Sequence, residues 1–116
     1  MTRVIKALGL AAVVALIAAS TGQRAVAAEE FAATLTIKDH RFDPAELVVP
    51  VGVKVKLTIK NLDPTPEEFE SVSLRREKVI PAGKEGIVYI GPLKPGTYDF
   101  FGDFNPKTAR GQIVAK

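Results

Sequence analysis

The sequence predicts an all-β fold: a Greek-key β-sandwich of seven to eight strands occupying residues 29–116. Three observations carry this. Apolar and polar residues alternate with period two over strand-length stretches, prolines and glycines punctuate the chain at similar intervals, and no stretch of the domain holds a helical period. In the first stretch, 31–38, Leu35 and Ile37 fall on one face and Thr34 and Thr36 on the other. Residues 47–49 and 53–59 repeat the pattern, the latter as Val53, Val55, Leu57 and Ile59 against Lys54, Lys56, Thr58 and Lys60. Further strands are expected at 68–71, 75–80, 86–90, 96–101 and 111–115. Between them lie Pro44, Pro50-Val51-Gly52, the 61–66 loop, Pro81-Ala82-Gly83, Pro92 and Pro95-Gly96, the residues that turns select. Short strands at this spacing fit an antiparallel sandwich.

Residues 1–28 read differently. Arg3 and Lys6 precede an apolar run at 7–19, polar residues break it at 20–23, and Ala25-Val26-Ala27 offers a small-residue cleavage site. This is the order of a secretory signal peptide, and the run is shorter than the ~20 residues of a membrane-spanning helix. Cleavage is expected after Ala27 or Ala28, leaving an exported domain with no stable membrane insertion. No cysteine follows the run, so a lipid-anchored product is excluded.

Removing that segment changes the charge. Three of the 16 basic residues, Arg3, Lys6 and Arg24, lie in it with no acid among them, so 13 bases and 13 acids remain. A neutral domain carries no electrostatic footprint for nucleic acid. The chain has no cysteine, so its stability rests on packing, with six phenylalanines and two tyrosines as the large side chains. Nucleophilic catalysis has no support: no thiol exists and no serine or threonine sits in a triad context.

The segment Ile37-Lys-Asp-His-Arg-Phe42-Asp-Pro44, the apolar run to Pro50, Gly52, and the second apolar run ending at Asn61 together resemble the opening of a cupredoxin domain. Gly91-Pro-Leu-Lys-Pro-Gly-Thr-Tyr98-Asp-Phe is similar to the segment that leads such a domain into its metal loop, and Gly111-Gln-Ile-Val-Ala to its closing strand. The departures narrow the reading. A blue-copper centre needs a Cys thiolate, two His and usually an axial Met. The domain has no Cys, no Met beyond the initiator and one His, so that centre is excluded. Blue-copper relatives commonly carry His at the position of Glu67; in the last loop, where they carry Cys, His and Met, this chain offers Asp103 and Asn105.

Glu67-Glu-Phe-Glu70 together with Tyr98-Asp-Phe-Phe-Gly-Asp-Phe104 resembles the EfeO-type cupredoxin-like group. That resemblance implies a periplasmic protein that binds iron or copper ahead of uptake, with an iron permease or a periplasmic metal-binding protein as partner. It also carries an acidic metal-site residue over to Glu68. Some members contribute cysteines at the positions of Phe42 and Gly102, and many have His at Asn105. Metal oxidation of the ferroxidase type is a weaker extension, because it needs a firmly held redox metal.

Carboxylates and one imidazole suit iron, Cu(II) or manganese better than Cu(I). The candidate ligands are Glu68 first, then His40 and Asp103, with Glu67 as the alternate. Strand alternation puts Glu68 and Glu70 on one face and Glu67 with Phe69 on the other, so all four candidates do not converge. The plain alternatives are a solvated His40 bonded to Asp39 or Asp43, and an acidic loop paired with Arg75, Arg76 and Lys78. In that case the domain is a metal-free sandwich that docks on a transporter or partner protein.

Overall fold

The computed structural model describes residues 29–116, so the expected signal peptide lies outside the described residues. Those residues are all-β, in nine strands. Strands β1 (Glu30–Lys38), β2 (Arg41–Asp43), β4 (Lys54–Asn61) and β7 (Glu85–Ile90) form one sheet in the order β2-β1-β4-β7. Strands β3 (Glu46–Val49), β5 (Glu67–Ser71), β6 (Arg76–Ile80), β8 (Gly96–Phe101) and β9 (Arg110–Ala115) form the other in the order β3-β9-β8-β5-β6.

The sandwich is as the alternation implies, with two differences. The ninth strand is β2, whose three residues are too few to show a period. The sheets are also mixed rather than antiparallel: β1 runs parallel to β4 and β3 parallel to β9. The chain leaves β2, crosses to the second sheet as β3 and returns beside β1 as β4. That crossing leaves β1 and β4 side by side and parallel, and local alternation does not report it.

Period-two burial is cleanest in β4, where Val55, Leu57, Ile59 and Asn61 are buried between partly exposed neighbours. The three apolar ones form one core with Leu35 and Ile37 of β1, Val88 and Ile90 of β7, and Phe69, Phe100 and Ile113 of the facing sheet. Phe42 plugs one end of this core. Its ring stands edge-on to Phe100 at 5.0 Å and to Phe69 at 6.3 Å, arrangements that suit the aromatic quadrupole. Gly111 is required by close approach, since a Cβ there would lie 2.4 Å from the Phe100 ring and 2.6 Å from the Ala45 carbonyl. Not every large side chain serves the core: Phe31, Tyr89 and Phe104 are exposed.

Candidate metal centre

Asn61, at the end of β4, organises the loop that follows. Buried and 1 % exposed, it donates from Nδ2 to the carbonyls of Thr65 and Ile80, at 2.8 and 3.1 Å. Its Oδ1 accepts from the Asp63 N–H at 2.9 Å, an Asx turn that presents the Asp63 carboxylate to the β1–β2 turn. There Asp39 and His40 both adopt positive φ, 51° and 57°, a conformation that Asp and His tolerate better than most side chains. Their N–H groups donate to the two Asp63 carboxylate oxygens at 2.7 and 3.1 Å. One carboxylate thus clamps a turn more than 20 residues earlier in the chain.

The clamp aims His40 at Glu67. Its Nδ1 lies 2.5 Å from Glu67 Oε1 and 3.7 Å from Asp63 Oδ2, and Asn105 Nδ2 donates to Glu67 Oε2 at 3.3 Å. Glu67 is fully buried because it shares the inner face of β5 with Phe69. The His40 ring stays nearly half exposed, beside a depression bordered by Phe104, Asn105 and Pro106. His40, Asp63 and Glu67 together offer one ligand atom each, all within 4.8 Å of one another.

Protonation follows from this packing. The hydrogen bond to Glu67 raises the His40 pKa above its usual 6.5, against partial desolvation and with help from the Glu67, Asp63 and Asp39 charges. Burial pushes the Glu67 carboxyl up, although the His40 bond pulls the other way. The pair therefore holds a proton between them firmly. Burial would raise Asp63 as well, but the His40 and Asp39 N–H donors outweigh it and keep this carboxyl below its usual value. A cation taking both Nδ1 and Glu67 must displace the shared proton, so its affinity rises with pH.

The four residues singled out from the sequence fall into two groups. His40 and Glu67 belong to the centre just described. Glu68 and Asp103 belong with Glu70 on the opposite face of β5, where three carboxylates also lie within 4.8 Å of one another. Glu68 is 4 % exposed, and its Oε1 has no hydrogen-bond partner. Burial first, then the neighbouring Glu70, Glu77 and Asp103, pushes its carboxyl up to about 7. The alternative, an acidic run paired with Arg75, Arg76 and Lys78, finds no ion pair among the described residues. Arg76 instead donates to the carbonyls of Tyr89, Leu74 and Arg75.

Sequence reasoning missed Asp63. Its one local signal is the Asn61-x-Asp63 spacing ahead of a proline-rich loop, which marks an Asx turn but not the turn it captures. Phe42 and Gly102, where some relatives have cysteines, do face each other: a Cβ on Gly102 would lie 3.7 Å from the Phe42 ring. The Glu68 carbonyl oxygen and the Ala109 methyl, which would lie 2.8 and 3.0 Å from that Cβ, already crowd the position. With no cysteine in the chain, the donor set does not fit a blue-copper ion.

The fold has close structural counterparts. A copper-binding protein solved in its apo form superposes with a TM-score of 0.66 at 18 % identity, covering 75 % of this chain and 88 % of that one. Auracyanin A, a blue copper protein of Chloroflexus aurantiacus, gives 0.65 at 13 % identity over 76 % and 100 %. The metal-binding domain of the Streptococcus pneumoniae D39 Cu(I)-exporting P-type ATPase CopA gives 0.65 at 14 % identity over 77 % and 97 %. At these identities the likeness is one of fold. In sequence, the chain is 48 % identical over 80 residues to an uncharacterized protein of Rickettsia prowazekii (strain Madrid E). That match covers 69 % of this chain and 64 % of the relative's length. The family model for the cupredoxin-like domain matches residues 9–115, and the chain belongs to that family.

Proposed function

We propose that the protein is a periplasmic metal-binding accessory factor of a ferrous-iron uptake system, of the EfeO-like kind, which holds iron or copper without a blue-copper centre. The observation that carries this reading is the convergence of His40 Nδ1 with the Asp63 and Glu67 carboxylates at one end of the sandwich. One borderline nitrogen and two hard oxygens suit Fe(II), Fe(III) or Cu(II) and disfavour Cu(I). Exposure of the His40 ring gives a metal a route in from solvent. The charge sequence at the N-terminus supports export, and an iron permease or a second periplasmic metal-binding protein is the partner that this role requires.

The test is metal analysis of untagged protein isolated from its own periplasm, followed by titration of the stripped protein with Fe(II), Fe(III) and Cu(II). His40→Ala and Glu67→Gln are each expected to weaken uptake. Affinities unchanged in both would remove the proposed centre.

A second reading is favoured by Phe104, which is 50 % exposed beside His40. An apolar ring next to a hydrogen-bonded network that is already satisfied also suits a metal-free docking module. That reading requires no bound metal at stoichiometric level, and loss of partner binding in Phe104→Ala.

A further inference from the structure

The end of the sandwich opposite the His40 centre gathers two cations that the proposed function does not use. Lys54 opens β4, and Asn61, which organises the loop beside His40, closes it. At ~3.3 Å per residue, about 23 Å of strand separates the two ends. At the Lys54 end lies an open cleft of about 600 Å³ bordered by Glu29, Gly52, Lys54, Arg76, Tyr89 and Gly91. Both glycines stand at positive φ, and a Cβ on Gly91 would come within 2.9 Å of the Val53 carbonyl oxygen. Bare backbone thus keeps the cleft open.

Tyr89 holds both cations. Lys54 Nζ sits 4.4 Å from the centre of its ring, a cation–π contact. Arg76 Nε donates to its carbonyl at 2.9 Å, and Arg76 Nη1 donates to the carbonyls of Leu74 and Arg75. A guanidinium has five N–H donors, so the two on Nη2 are left without an acceptor among the described residues. Neither charge is neutralised. Among the described residues the ion pairs are those of His40 and the Lys60–Glu85 pair, and Glu29, although it borders the cleft, pairs with neither cation.

We propose that Lys54 and Arg76 form a binding site for a phosphate group, carried by a soluble phosphate ester or by an anionic lipid headgroup. A planar guanidinium fork beside an ammonium point charge suits phosphate, whose several oxygens engage both, better than a carboxylate with two. The cleft has room for an organic ester and not only for a bare ion. Glu29 on the cleft wall opposes the anion. The site shares no side chain with the His40 centre and does not depend on it.

The test uses untagged protein isolated from its own periplasm and stripped of metal, so that phosphate is not held through an ion. It is titrated calorimetrically with glycerol phosphate, and sedimented with vesicles of phosphatidylglycerol in phosphatidylcholine. Binding of at least one probe is expected, the first marking a soluble ester as the source and the second a lipid headgroup. Arg76→Gln and Lys54→Gln are each expected to weaken binding by about tenfold or more, and Glu29→Gln to tighten it. Lys60 projects from the same face of β4 outside the cleft, so Lys60→Gln should leave binding unchanged. Lys54 is exposed, so its variant carries the test if Arg76→Gln fails to fold by circular dichroism. Binding of neither probe, or binding that survives Lys54→Gln, overturns the proposal. An equal loss in Lys60→Gln also overturns it, by reducing the binding to diffuse charge attraction.

Discussion

On the inner side of β5 the Glu67 carboxylate is fully buried yet fully engaged, held by His40 on one oxygen and by Asn105 on the other. On the outer side the next residue, Glu68, is almost as buried, but its neighbours are three more acids and its Oε1 has no partner. The contrast shows that burial of a carboxylate does not by itself determine its energetic role. What matters is whether donors were brought to it. On the inner face, the β1–β2 turn and the β8–β9 loop supply them; on the outer face, β5, β6 and the β8–β9 loop bring only like charges together.

The largest expected effect comes from breaking the inner arrangement at its clamp. Asp63→Ala leaves the N–H groups of Asp39 and His40 without acceptors and frees a turn held at positive φ. Loss of two charge-assisted hydrogen bonds is expected to cost about 3 kcal/mol in urea denaturation. It is also expected to weaken Cu(II) binding, because His40 is then no longer aimed at Glu67. A destabilisation below about 0.5 kcal/mol would show that the clamp is incidental.

The outer face should respond in the opposite sense. Glu68 has a carboxyl pKa raised from 4.5 to about 7 in the folded protein, so between those values the native state keeps a proton that the unfolded chain has lost. Stability therefore falls as pH rises through this window, and the whole penalty is present above it. Glu68→Gln removes the charge and is expected to stabilise the protein at pH 8 by roughly 2 kcal/mol, the gain shrinking to nothing near pH 4.5. Thermal melts of both proteins across this range, in chelator, check the sign. A gain independent of pH would locate the effect in packing instead.

These two faces also mark what could be read from residues alone. The sandwich was legible because Val55, Leu57 and Ile59 write their period plainly, and the same rule placed Glu67 and Glu68 on opposite faces. The β1–β4 and β3–β9 parallel pairings were not legible, since strand partners depend on a chain crossing that no local pattern encodes. Asp63 was hidden for a related reason: what it binds is backbone, and backbone N–H groups have no residue type to search for. Alternation shows that the four candidates do not converge, but not that His40 joins the alternate, Glu67, and parts from Glu68 and Asp103.

A gain of function sharpens the inner site further. Asn105 donates to Glu67 from 3.3 Å, so Asn105→His puts a second imidazole at the edge of the centre. Imidazole is the better ligand for Cu(II), and an increase in Cu(II) affinity of about tenfold or more is expected in competition titrations. No increase would mean that position 105 cannot reach a metal held by His40 and Glu67.

The smallest signal is also the most local. His40 is the chain's only histidine, so its ring protons give a single, unambiguous titration by NMR. Its pKa is expected above 6.5, chiefly because of the Glu67 hydrogen bond, with Asp63 and Asp39 contributing charge. Glu67→Gln retains a hydrogen-bonding side chain and deletes the charge, and is expected to bring the His40 titration down toward 6.5. Asp103→Asn, on the outer face, should leave it in place. A raised pKa favours the folded state below 6.5, and that contribution disappears as pH climbs past the folded value. Added Cu(II) should abolish the titration in the unaltered protein, because the ion and the shared proton compete for Nδ1. Persistence of the titration at saturating Cu(II) would place the metal elsewhere and return His40 and Glu67 to a purely structural pairing.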